Sequence, residues 1–228
     1  MHKRAFRLAL AVGASLLASS PGFTVPTSFH LMQIEQAIGG VGGNMTLQAV
    51  QLRMRAPLQN EVVFSRVRAW DAAGLNPILV VDMMNNVPVG AVGSRVLISS
   101  SQFAAAFGPA PDFLMTNLIP ASYLPAGKLT FEDDGGAIFW GLAWGGAAYT
   151  GTNMGIEPLN DPDLNFNPPF GSPLPSTTNQ ALLFPGAATA ASTNNAADYV
   201  ITAGNAVFTN NAGESATVPV ELMDFSVR

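Results

Sequence analysis

The sequence predicts an all-β protein, an antiparallel two-sheet sandwich, on three observations. Apolar and polar residues alternate along several short stretches; glycine, asparagine and proline separate those stretches; and no stretch holds a sustained helical period. Alternation with period 2 sends every second side chain to the same face, which is how a half-buried strand hides its apolar residues.

Residues 31–38 form the first strand, stopped by the glycine pairs at 39–40 and 42–43. Residues 47–55 alternate cleanly, with Val50, Leu52 and Met54 on one face and Gln51, Arg53 and Arg55 on the other. A third strand runs over 62–70, and Asp71, Ala72, Ala73 and Gly74 turn the chain. Residues 77–84 are almost continuously apolar, the composition of a strand covered on both faces. A short strand at 95–99 is followed at 102–107 by one turn of helix. Strands at 129–131 and 137–144 flank Glu132, Asp133, Asp134, Gly135 and Gly136, a hairpin signal because glycine adopts positive φ without steric cost.

Six prolines then fall between residues 151 and 180, and the apolar period disappears. That stretch reads as one long loop. Strands return at 180–184, 198–202, 206–209 and 216–222, and Thr-Asn-Asn-Ala occurs twice, at 193–196 and 209–212. Both copies read as similar turns.

The start of the chain bears on its destination. His2, Lys3, Arg4 and Arg7 precede an apolar or small-residue run over 8–18, and Ser19, Ser20, Pro21 and Gly22 follow it. Cations, a short greasy run and small polar residues, in that order, describe a secretory signal peptide; the run is too short to cross about 30 Å of hydrocarbon. A buried core helix would leave the clustered cations unexplained. The expected organisation is a signal peptide at 1–22, a sandwich domain at 29–222 that includes the loop 151–180, and a tail at 223–228, in a protein that is secreted or held at the cell surface.

Composition narrows the chemistry. There is no cysteine, which rules out disulfides, thiolate metal sites and a cysteine nucleophile. Without the leader's Lys3, Arg4 and Arg7, seven basic residues face fifteen acidic ones, a net charge of −8. Such a balance argues against nucleic acid and anionic membrane surfaces as partners. Past the leader, His30 is the only histidine, and no serine sits in a Gly-x-Ser-x-Gly elbow. Paired carboxylates could act on a glycoside, but Glu132, Asp133 and Asp134 precede a double glycine and read as a hairpin tip. The chain is expected not to be an enzyme and to carry no cofactor, with calcium as the one ion to consider.

Four groups of residues could bind something. Asp161, Asp163, Asn165 and Asn167 present side-chain oxygens at every second position, a partial set for calcium; an Asn/Asp-capped turn is the plainer reading. Trp140 and Trp144 share one face of a strand with Ile138 and Leu142, either as core or as a platform for sugar rings. Arg53, Arg55, Arg66 and Arg68 stand two apart on candidate strands, and if those strands pair, four cations crowd one face unless acids such as Glu35, Glu61 or Asp71 intervene. Arg66 and Arg68 are thus candidate anion ligands, or an ordinary solvated face relieved by stacking on Trp70. A glycan or another cell-surface component is the expected class of partner.

The order of blocks Ile34-Glu35-Gln36, Ala49-Val50-Gln51-Leu52, Val67-Arg68-Ala69-Trp70-Asp71, Val96-Leu97-Ile98-Ser99, Asp112-Phe113, Asn117-Leu118, Leu129-Thr130-Phe131-Glu132-Asp133 and Gly136-Ala137-Ile138-Phe139-Trp140 resembles that of lamin-tail-type domains of secreted bacterial proteins. The resemblance covers roughly half of the chain and implies an immunoglobulin-like sandwich with no active site. Near the C-terminus, Val218-Pro219-Val220-Glu221-Leu222-Met223-Asp224-Phe225 is similar to the Pro-Val-Glu-Leu segment that precedes surface-sorting regions of exported bacterial proteins. It implies attachment to the cell surface. The resulting expectation is a non-catalytic exported sandwich with a structural or adhesive role; the alternative is a carbohydrate-binding module, with calcium assisting.

Overall fold

The computed structural model describes residues 29–152, 168–190 and 193–219. The leader segment 1–22, the tail 223–228 and the calcium candidates Asp161, Asp163, Asn165 and Asn167 lie outside those residues.

In chain order the strands are β1 (Met32–Ile38), β2 (Ala49–Met54), β3 (Ser65–Trp70), β4 (Ile78–Asp82), β5 (Arg95–Ser99), β6 (Phe113–Leu114), β7 (Gly127–Asp133), β8 (Ile138–Trp144), β9 (Leu182–Leu183), β10 (Val200–Ile201), β11 (Val207–Thr209) and β12 (Ser215–Thr217). Two short helices accompany them, α1 (Ser101–Phe107) and α2 (Asn195–Asp198). One sheet has the order β10-β9-β1-β2-β5-β6 and the other β4-β3-β7-β8. Among these pairings only β5 with β6 is parallel. The protein is therefore an all-β antiparallel sandwich. Met32, Ile34, Leu52, Met54, Val96 and Ile98 of the first sheet meet Val67, Leu129, Phe131, Trp140 and Leu142 of the second in one buried core.

The hairpin expected around Glu132 to Gly136 forms between β7 and β8, and Gly136 takes φ +94° as that turn requires. The helical turn at 102–107 is α1. Its N-cap Ser100 accepts a hydrogen bond from the Phe103 amide, and Gly108, with φ +60°, ends it.

Three expectations are corrected. β2 is not half-buried: all six of its residues are buried. The reason is a third layer that local pattern could not announce. β11 and β12 form a hairpin that lies, with α1, on the outer face of the first sheet, where Phe208, Val218 and Phe103 pack on Ile38, Ala49 and Leu97. Conversely, the apolar run at 77–84 is not covered on both faces. It gives β4, an edge strand of which Ile78, Leu79 and Asp82 stay half-buried. Its outer carbonyls are occupied, since Thr116 donates its amide to Val80 at 2.8 Å and Asn117 its side-chain amide to Leu79 at 2.8 Å.

The two Thr-Asn-Asn-Ala segments are also unlike. Asn194 caps α2 by accepting from the Ala197 amide, because helix-forming Ala196 and Ala197 follow it. Asn210 and Asn211 open the turn of the β11–β12 hairpin, because Gly213, at φ +84°, follows them.

Candidate functional site

Each sheet buries one glutamate between two arginines on its outer face. In the first sheet a bulge at Ile34 to Gln36 inserts one extra residue into β1, so that Glu35 and Gln36 both face outward. Glu35 forms an ion pair with Arg53 of β2 at 3.0 Å and accepts from Arg95 of β5 through two bonds of 2.7 and 2.9 Å. Gln51 donates to the same carboxylate at 2.8 Å, and Arg53 bridges onward to Gln33 and to the carbonyl of Gly186. Burial lowers the Arg53 pKa, whereas hydrogen bonding to Glu35 raises that of Arg95.

The second sheet repeats the device. Glu132 of β7, fully buried, accepts from Arg66 at 3.2 Å and from Arg68 through its Nε at 2.7 Å and its Nη2. Thr130 donates to Glu132 at 2.7 Å and accepts from the Trp70 indole at 2.8 Å. Arg68 lies 4.6 Å from the centroid of Trp70, and Lys128 lies 5.2 Å from it.

These contacts change the reading of the arginines. Arg53 and the Arg66–Arg68 pair lie on different sheets, so the four cations do not crowd one face. Glu35 is the expected acid for Arg53, and Arg68 stacks on Trp70 as expected. Pattern reading missed Glu132, which looked like part of a solvated hairpin tip. Register decides its role, because Glu132 stands directly opposite Arg66 in the β3–β7 ladder. With a buried carboxylate held between them, Arg66 and Arg68 spend donors on Glu132 and tie β3 to β7.

The aromatic platform is corrected too. Trp140 and Trp144 have no exposed surface. Trp140 donates its indole N–H to the Tyr199 hydroxyl at 2.8 Å, and Tyr199 donates to the Ile34 carbonyl at 2.5 Å. Trp144 donates to the Tyr123 carbonyl at 3.0 Å. Trp140 thus links the two sheets, Trp144 lies in the core, and neither ring offers a face to a sugar. His30 stacks on Phe139 with ring centroids 4.0 Å apart, and burial lowers its pKa. Among the described residues no three histidine, aspartate or glutamate side chains converge as a metal site.

What the structure does open is a groove of about 380 Å³ between the loop 89–95 and the turn of the β11–β12 hairpin. It is lined by Val89, Val92, Arg95, Thr209 and Ala212, among others. Asn211 holds its two walls together: its side chain accepts from the Val89 amide at 2.8 Å and donates to the carbonyls of Val89 at 3.0 Å and Arg95 at 2.9 Å. Sequence reasoning placed a turn at Asn211 but could not bring it beside residues more than a hundred positions earlier.

No family model matches this chain. A search of curated proteins finds no match to it either.

Proposed function

We propose that this chain is a non-catalytic module, exported to the cell surface or the extracellular space, with a structural or adhesive role. One observation carries the reading: Arg53, Arg66, Arg68, Glu35 and Glu132 all tie strands together within the two sheets. Residues that looked like a chemical inventory are engaged in holding the sandwich rigid. The cationic leader with its short apolar run supports export, and the order of blocks supports the finer assignment to lamin-tail-type, immunoglobulin-like domains. The C-terminal Pro219-Val220-Glu221-Leu222 supports attachment at the surface.

Two measurements on the producing cell test this. Protein recovered outside the cell should begin between residues 19 and 29, after removal of the leader, and a deletion strain should lose cohesion or attachment. Full-length protein confined to the cytoplasm would refute export; unchanged attachment would refute the structural or adhesive role.

A carbohydrate-binding role is the second reading. The groove beside Arg95 favours it, in place of the buried tryptophans.

A further inference from the structure

The Glu35 cluster holds two guanidiniums and one carboxylate, so its charges do not cancel. Arg53 is almost wholly enclosed, with a side chain 10 % exposed, whereas that of Arg95 is 37 % exposed and lines the groove. Arg95 binds Glu35 through Nε and Nη2; Nη1 takes part in neither bond. Arg95 is therefore the exposed cation of this cluster, and it faces solvent at the groove.

The surroundings narrow the ligand. Two acids stand near the hairpin turn, and neutral N–H donors orient both of them without cancelling their charge. Asp112 accepts the amides of Leu97 at 2.7 Å and Asn211 at 2.9 Å, and Glu214 accepts from Asn210 at 2.8 Å. Val89 and Val92, 41 % and 46 % exposed, supply small apolar walls. Thr209 and Ala212 on the opposite side are small and leave the groove open. Its volume of about 380 Å³ falls within the range of small-molecule sites, roughly 300–1,000 Å³. The Asn211 clamp fixes both walls before any ligand arrives, which lowers the ordering cost of binding.

We infer that this groove binds a carboxylate-bearing sugar of an extracellular polysaccharide, with the carboxylate on Arg95 and the C–H face of the ring against Val89 and Val92. An arginine is suited to a planar carboxylate, and the open, largely polar walls suit a hydroxyl-rich ring better than an enclosed apolar body. The choice of a sugar rests on the proposed extracellular location; the choice of a carboxylate rests on the Arg95 geometry alone.

Isothermal titration of the full-length protein with trigalacturonate, its uncharged trigalactose counterpart and a short acidic peptide tests the inference. Trigalacturonate should bind, more weakly as salt rises, while trigalactose and the peptide should not. Arg95→Gln should weaken binding roughly tenfold or more. Because that change also disturbs Glu35, Ala212→Trp is the companion variant: it fills the groove from the hairpin turn, and it should abolish binding while leaving the melting midpoint in place. The inference fails if trigalacturonate does not bind, if trigalactose or the peptide binds equally well, or if Ala212→Trp binds like the parent. Release of shorter sugars would instead overturn the non-catalytic reading and leave the groove assignment standing.

Discussion

Glu132 stands directly opposite Arg66 in the β3–β7 ladder, and its carboxylate, with no exposed surface, accepts hydrogen bonds from Arg66 and also from Arg68. One acid thereby separates two cations that share a face of β3. Removing the charge while keeping the shape leaves both guanidiniums uncompensated. Glu132→Gln should cost about 3 kcal/mol, the low end for breaking a buried pair, because the arginine side chains remain 23 % and 22 % exposed. Urea denaturation measures it. The triple change Glu132→Leu, Arg66→Met and Arg68→Met should recover most of that loss; equal instability of both variants would show that packing, not charge, dominates there.

Trp140 bridges the sheets through Tyr199 to the backbone of β1. Trp140→Ala should destabilise by about 3–5 kcal/mol, the cost of emptying a large buried site. A loss below 1 kcal/mol, with changed affinity for neutral sugars, would restore the platform reading.

Phe208 tests the third layer. It has no exposed surface and meets Phe103 of α1 with ring centroids 5.3 Å apart. Phe208→Ala should cost about 3–5 kcal/mol and expose the outer face of the first sheet to a hydrophobic dye. A dye signal like that of the parent would mean that the hairpin is not what keeps this face dry.

His30 should make stability fall in acid. Burial against Phe139 lowers its pKa, and Asp133 only partly offsets that. The folded state therefore binds this proton less readily than the unfolded one. The contribution is complete above about pH 6.5, the unfolded value, and is lost as pH falls through the lower folded value. In His30→Phe the drop in urea midpoint between pH 7 and pH 5 should be smaller than in the parent. An equal drop would assign the acid sensitivity to other groups.

Calcium is tested by melting. The midpoint is expected to be unchanged by EDTA. A fall that calcium reverses and magnesium does not, and that Asp163→Asn abolishes, would instead identify Asp161, Asp163, Asn165 and Asn167 as ligands.

The sequence by itself determined the class of this protein and the facing of its strands. Val50, Leu52 and Met54 alternate with Gln51 and Arg53, and that alternation alone fixes which side of β2 meets the other sheet. The turn at Gly136 and the capped helix at Ser100 were equally legible, because a turn or a cap is decided within a few residues. Only the tertiary structure decided what lies on the far faces. The β11–β12 hairpin covers Gln51 by donating the Thr209 amide to it, across a separation of 158 residues. Glu35 meets Arg95, and Glu132 meets Arg68, across separations of 60 and 64 residues. Whether an arginine is a free ligand or a structural tie depends on such long-range register, and a local period carries no information about it.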